Sequence, residues 1–217
     1  MIWISCFILK LSLLLSVPLA PDSITCEERT PVSTIEAIYQ RMGLESMLSL
    51  EAFSKGLKGL QRFHPAKRII AICDFSKPST EERFYVLDLD NQRLLLSSLV
   101  AHGRNSGLDR AVRFSNHPES NQSSLGFYRI GGFIHSPKHG QALLLDGLEK
   151  SLNGNARSRQ IIIHGADYVC EQFVRTYGYL GRSLGCPALP NAVMKSIAPV
   201  LANGSLLYIY AGPDKNP

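Results

Sequence analysis

The sequence predicts a mainly β domain of the α+β class, with helices gathered at its start and around a Cys–His pair. Three observations carry that expectation. Short runs rich in β-branched and aromatic residues recur after Pro65, and loops rich in Gly, Ser, Asn and Pro separate them. Helical spacing of apolar residues is confined to a few segments. The chain has 217 residues, enough for one well-packed domain once an N-terminal address is set aside. Apolar content of 45% and charged content of 19% are globular proportions and exclude wholesale disorder. The formal charge of +5 comes from scattered Lys and Arg, so no run forms a nucleic-acid footprint.

The elements follow in order. Residues 2–20 are almost wholly apolar, interrupted by Lys10 and ending in small residues. The stretch 11–19 is too short to span a bilayer, so residues 1–20 read as a secretory signal peptide. An uncleaved anchor and a start codon placed too early are the competing readings. Cleavage would leave a periplasmic or secreted protein with no stable membrane association. Residues 21–64 form an N-terminal extension with a helical segment. Ser33 and Glu36 make a capping-box pattern before Ala37, Ile38 and Met42. A second helix from about Leu48 puts Phe53, Leu57 and Leu60 on one face, and Pro65 closes it.

Residues 65–213 carry the strands. Residues 68–73 are a β-branched run, and 83–89 with 92–100 read as a hairpin around Asp90-Asn91. Further strands are expected at 125–130, 141–146, 160–164 and 205–211, with a long loop over 102–124. A helix is expected over 166–177. Another is expected from Pro190 to about Ala198, ended by Pro199.

Five cysteines are present: Cys6, Cys26, Cys73, Cys170 and Cys186. Signal removal leaves four in an oxidising compartment, and a working thiol at Cys186 leaves one of the others free or paired outside the chain. No C-x-x-C and no zinc-type spacing occurs. Cys73, inside an apolar strand, reads as a buried thiol. The pairing stays open.

The chemistry is concentrated in Ile161-Ile162-Ile163-His164-Gly165-Ala166 and Gly181-Arg182-Ser183-Leu184-Gly185-Cys186-Pro187. His164 ends a β-branched strand, which holds its imidazole on a rigid element. Cys186 lies between a glycine and a proline in a constrained loop, where Gly185 exposes N–H groups to a developing oxyanion. A nearby Arg182 and an imidazole would together raise the thiolate fraction. Nucleophile, base and oxyanion donors are the ingredients of acyl transfer through a thioester. A structural His and a buried thiol are the bland alternative.

These motifs resemble the L,D-transpeptidases of peptidoglycan, in particular the murein L,D-transpeptidase catalytic domain group. His164-Gly165 and Ser183-Leu184-Gly185-Cys186 match that family's two-part signature. The likeness extends to Val100-Ala101-His102-Gly103, Phe114-Ser115-Asn116, the segment from Ser123 to Tyr128, Gly140, Leu145-Asp146-Gly147 and Asn155-Ala156-Arg157. It also takes in Tyr168 and the terminal run from Gly204 to Tyr210, and covers roughly residues 45–211.

The resemblance implies an L,D-transpeptidase-type β-sandwich acting on peptidoglycan tetrapeptide stems, with Cys186 as nucleophile and His164 as base. Gly185 and Cys186 N–H groups match the oxyanion hole, supported by Gly165, Ser183 and Arg182. No metal or organic cofactor is implied. Leu184 and Ala188 stand where the wider family carries a second His and an Asn. Hydrolysis (L,D-carboxypeptidase), D-amino-acid exchange by the same site, or a non-catalytic wall-binding module are the alternatives. His102, Gly103, Asn116, Tyr128 and Tyr168 are candidate substrate contacts, each with a packing or local hydrogen-bonding reading beside it. Arg182 pairs with a stem carboxylate or holds the Cys loop through backbone carbonyls; Ser183 bonds the imidazole or caps that loop.

Overall fold

Eight strands join in one mixed sheet, and the alternation of their side chains divides the core in two. The computed structural model describes residues 34–215; the signal segment, the Ser33 cap, Cys6 and Cys26 lie outside the described residues. The strands are β1 (Ile69–Asp74), β2 (Phe84–Asp88), β3 (Arg93–Ser98), β4 (Gly126–Ser136), β5 (Gly140–Gly147), β6 (Ile162–Gly165), β7 (Ala188–Leu189) and β8 (Leu206–Tyr210). Their order in space is β3-β2-β1-β8-β4-β5-β6-β7. The β1–β8 and β6–β7 pairs are parallel and the remainder antiparallel.

Helices α1 (Thr34–Arg41) and α2 (Leu50–Phe63) cover one face of the sheet. Ser49 caps α2 by accepting the Ala52 N–H at 3.2 Å, and His64 ends it in the left-handed region at φ 43°. Phe53 and Leu60 pack there against Ile70, Ile72, Leu206 and Tyr208, the residues of β1 and β8 that point to this side. The other face buries Ala71, Cys73, Leu207 and Ile209 against Met194, Ile197 and Leu201 of α5 (Asn191–Leu201). The short helices α3 (Lys150–Asn153) and α4 (Glu171–Tyr177) complete the elements. Among the described residues no helix is long and apolar enough to cross a membrane.

Three expectations are corrected. The fourth strand does not stop at Ile130; it runs to Ser136 through a register shift between Ile130 and Phe133, where Gly131-Gly132 lets the ladder adjust. It forms with β5 a hairpin whose tip is residues 136–140. The helix expected from Ala166 starts only at Glu171; the Ala166 carbonyl closes a tighter turn with the Val169 N–H, and the Tyr168 carbonyl accepts the Gly181 N–H in place of the next helical turn. Helix α5 continues through Pro199 to Leu201. Its buried face of Met194, Ile197, Ala198 and Leu201 offsets the backbone bond a proline forfeits.

Two isolated bridges tie one end of the sheet to the other. Ala101, just past β3, pairs with Ala188 of β7, and Gly103 pairs with Ser183. The segment carrying those residues is anchored from beneath by Arg83, which is fully buried. Its Nε and one terminal nitrogen donate to the Val100 carbonyl at 3.1 and 2.9 Å, and the other terminal nitrogen donates to the Lys77 carbonyl at 2.9 Å. The first terminal nitrogen also meets His102 Nδ1 at 2.8 Å. Among the described residues Cys73, Cys170 and Cys186 are free thiols, with Cys73 buried.

Candidate active site

His164 is the penultimate residue of strand β6, and Cys186 comes two residues before Ala188, the partner of His164 in the parallel β6–β7 pair. That register delivers both side chains to one cavity of about 680 Å³. Tyr168, Arg182, Ser183 and Leu184 line it from the Cys loop side, and residues 134–139 of the β4–β5 hairpin form the opposite wall.

The Cys loop is held by hydroxyls and by the absence of one side chain. Ser183 Oγ accepts the Gly185 N–H at 3.1 Å and donates to the Cys186 carbonyl at 2.6 Å. Ser123 Oγ accepts the Gly103 N–H at 3.0 Å and donates to the Gly185 carbonyl at 3.2 Å. Gly185 has φ +127°, and a Cβ there would stand 2.8 Å from the Gln122 carbonyl oxygen. Only glycine fits. Because the Gly185 N–H is given to Ser183, the Cys186 N–H is the amide of the expected oxyanion pair that lies against the sulfur.

Cys186 Sγ accepts the Ile162 N–H at 3.5 Å and donates to the Gln160 carbonyl at 3.7 Å. Burial pushes the thiol up; the Ile162 N–H and then the charges of Arg159 and Lys138 pull the other way without overcoming it. His164 Nδ1 lies 2.8 Å from the Gly165 carbonyl. A carbonyl only accepts, so Nδ1 carries the proton and Nε2 keeps its lone pair. Burial drives this imidazole down to about 4, with His139 and Lys138 adding to the effect against the Gly165 bond. At neutral pH the site therefore holds a thiol and a neutral imidazole. Among the described residues no hydrogen bond joins them; each is anchored separately on its own element.

The cations near the sulfur are not the one expected from sequence proximity. Arg182 donates to the Arg104 and Gly107 carbonyls at 3.2 and 3.1 Å, which pins the Cys loop to the segment after β3. Arg159 lies closer in effect. It donates to the Ser115 and Gln122 carbonyls at 2.7 and 2.6 Å and to the Ser120 and Ser124 hydroxyls.

The other expected contacts are dispersed. Tyr168 lines the cavity, and burial with the Cys186 charge pushes its phenol up to about 12. His102 is fully buried, edge-on to Phe75, and Gly103 is sealed under Ser123. Tyr128 is fully buried and donates to the Ser124 carbonyl at 3.0 Å. Asn116 lies in a separate groove, bonded to Lys150 and Asn155. These four present nothing to the cavity that holds Cys186.

A family model described as the L,D-transpeptidase catalytic domain matches residues 44–210. The chain belongs to that family. No curated protein matches it. Among solved structures it is similar to an L,D-transpeptidase from Mycobacterium smegmatis at 12% identity and TM-score 0.42, covering 66% of this chain and 59% of that one. An L,D-transpeptidase from Xylanimonas cellulosilytica gives 14% and 0.40, over 66% and 61%. One from Stackebrandtia nassauensis gives 13% and 0.40, over 84% and 78%. The chain thus spans about three fifths of the first two.

In this L,D-transpeptidase family member the residues that sequence reading missed sit on the hairpin tip. His139 stacks on His164 with ring centroids 3.7 Å apart and planes 22° from parallel, and Lys138 is its neighbour. Their segment has loop composition, with Gly131-Gly132 and Pro137, so nothing in it announces a strand crossing to the site. His139→Ala uncovers one face of His164 and removes a neighbour that opposes its protonation. The His164 titration, followed by imidazole NMR, is expected to move upward from about 4 towards the ordinary value of 6.5. An unmoved titration would contradict the stacking.

Acid should also unfold this L,D-transpeptidase domain early. Burial, then Arg83, pushes His102 down to about 3, and His164 sits at about 4, whereas both imidazoles take up protons near 6.5 in an unfolded chain. Their folded values are depressed, so the stability present above 6.5 is lost as pH falls towards 4. With two extra protons bound on unfolding, the slope approaches about 2.7 kcal/mol per pH unit. Urea midpoints measured from pH 7 to pH 5 should fall; a flat series would refute the assignment.

Proposed function

We propose that the chain is an exported cysteine acyltransferase acting on peptidoglycan tetrapeptide stems. One observation above all supports the reading. A partly exposed Cys186 thiol and a His164 imidazole with a free Nε2 line one cavity, in a chain of the L,D-transpeptidase family. The apolar segment 2–20 supports export to the cell envelope.

In this mechanism Sγ attacks the carbonyl of the diamino acid at position three while His164 Nε2 takes its proton. The neutral resting pair ionises only at this step, when bound substrate narrows the gap between the two groups. The Cys186 N–H donates to the oxyanion. The C–N bond to the terminal D-Ala breaks, the imidazolium returns the proton to the leaving amine, and a thioester remains on Cys186. The amine of a neighbouring stem then attacks the thioester, loses a proton to Nε2 and releases the thiol with a 3→3 cross-link.

The test is to incubate purified protein with disaccharide-tetrapeptides and compare wild type with Cys186→Ala by mass spectrometry. Cross-linked dimers, and an adduct on Cys186, are expected from wild type alone. Equal product profiles would end the proposal.

A further inference from the structure

The cavity around Cys186 is lined by Lys138, Arg157, Arg159 and Arg182, and by no Asp or Glu among the described residues. The arginines are already engaged. Arg157 pairs with Asp146, Arg159 binds the 115–124 segment, and Arg182 binds backbone carbonyls. Lys138 is different: among the described residues its exposed ammonium has no hydrogen-bond acceptor and no ion-pair partner. A hairpin normally turns such a side chain to water, yet here the adjoining His139 ring is stacked on His164, which fixes the tip over the base.

Resting on the proposed reading of this site, we propose that Lys138 is a specificity-determining residue that pairs with a carboxylate of an acidic peptide substrate. An ammonium is a compact point charge on a flexible stem, suited to a carboxylate whose position shifts as substrate settles. The surrounding cations raise the local potential, and with no carboxylate in the wall an incoming anion meets no like charge. Lys138 lines the same cavity as Cys186 and His164, so a carboxylate it captures stands in the space that holds the reacting groups. Other groups facing that point are the imidazoles of His135 and His139 and the Tyr168 phenol.

The test uses the full chain carrying Cys186→Ala, so that substrate binds without turnover. Calorimetry compares it with the same protein carrying Lys138→Gln or Lys138→Arg, with thermal melts to verify folding. The probes are the disaccharide-tetrapeptide and forms in which each carboxylate in turn is converted to its amide. Loss of a hydrogen bond to a charged partner at this half-open site predicts roughly tenfold weaker binding for Lys138→Gln, with recovery in Lys138→Arg. One amide form should bind the Lys138 and Lys138→Gln proteins alike, and it identifies the carboxylate concerned. Equal binding of every probe by the Lys138 and Lys138→Gln proteins would overturn the inference, even if wild type forms Cys186-dependent products. Absence of those products would remove the functional reading itself, and the inference with it.

Discussion

Cys186→Ala is expected to abolish acyl transfer, a loss on the order of 10⁴-fold or more, the scale on which enzymes lose a covalent nucleophile. Among the described residues no other thiol lines the cavity. Cys73 is buried in the core, where burial pushes its thiol far up, and Cys170 lies in a different groove with Val169 and Glu171. The fold should survive, because the Ser183 and Ser123 hydroxyls hold the loop and the sulfur adds only its long contacts to the Ile162 N–H and the Gln160 carbonyl. The decisive pair of measurements is product release from tetrapeptides and an unchanged urea midpoint. Wild-type turnover by the variant would refute the nucleophile.

Arg83→Leu is the change expected to cost most in stability. The substitution removes the donors to Val100, Lys77 and His102 while leaving the Val100 and His102 acceptors in place and buried and the Lys77 carbonyl half-buried. Replacing both sides of a buried polar contact is often mild, but removing one side is not; about 3–5 kcal/mol is the expected cost. The guanidinium also lies over the Phe75 ring, 4.9 Å from its centroid, so packing is lost as well. Urea denaturation would measure this directly, and a change under about 1 kcal/mol would contradict the account. Activity should fall in parallel. Val100 and His102 lead into Gly103, which bridges to Ser183 in the Cys loop.

The strands were legible because their alternation is local. Ile70 and Ile72 face one core while Ala71 and Cys73 face the other, and that pattern is written in consecutive residues. His164 and Cys186 could be singled out because strand end and Gly-Cys-Pro loop each leave a short signature. What escaped depends on contacts between distant segments. Arg182 adjoins Cys186 in sequence, yet the charges acting on the sulfur come from Arg159 and Lys138, 27 and 48 positions away. The protonation of the pair escaped for the same reason: residue types suggest an ionised thiol, whereas burial by the hairpin and the Cys loop decides for the neutral one. Helix α4 is shorter than its propensity suggests because the Tyr168 carbonyl accepts the distant Gly181 N–H in place of a helical partner.

The pairing of Ala101 with Ala188 and of Gly103 with Ser183 has a bearing on when the cavity around Cys186 is complete. Those contacts close over more than seventy intervening residues, so they belong among the last to form as the chain collapses. Until the seam shuts, the Ser183 end of the Cys loop is not tied to the segment after β3, and the wall it forms beside the sulfur is incomplete. Completion of the cavity is thereby timed by topology.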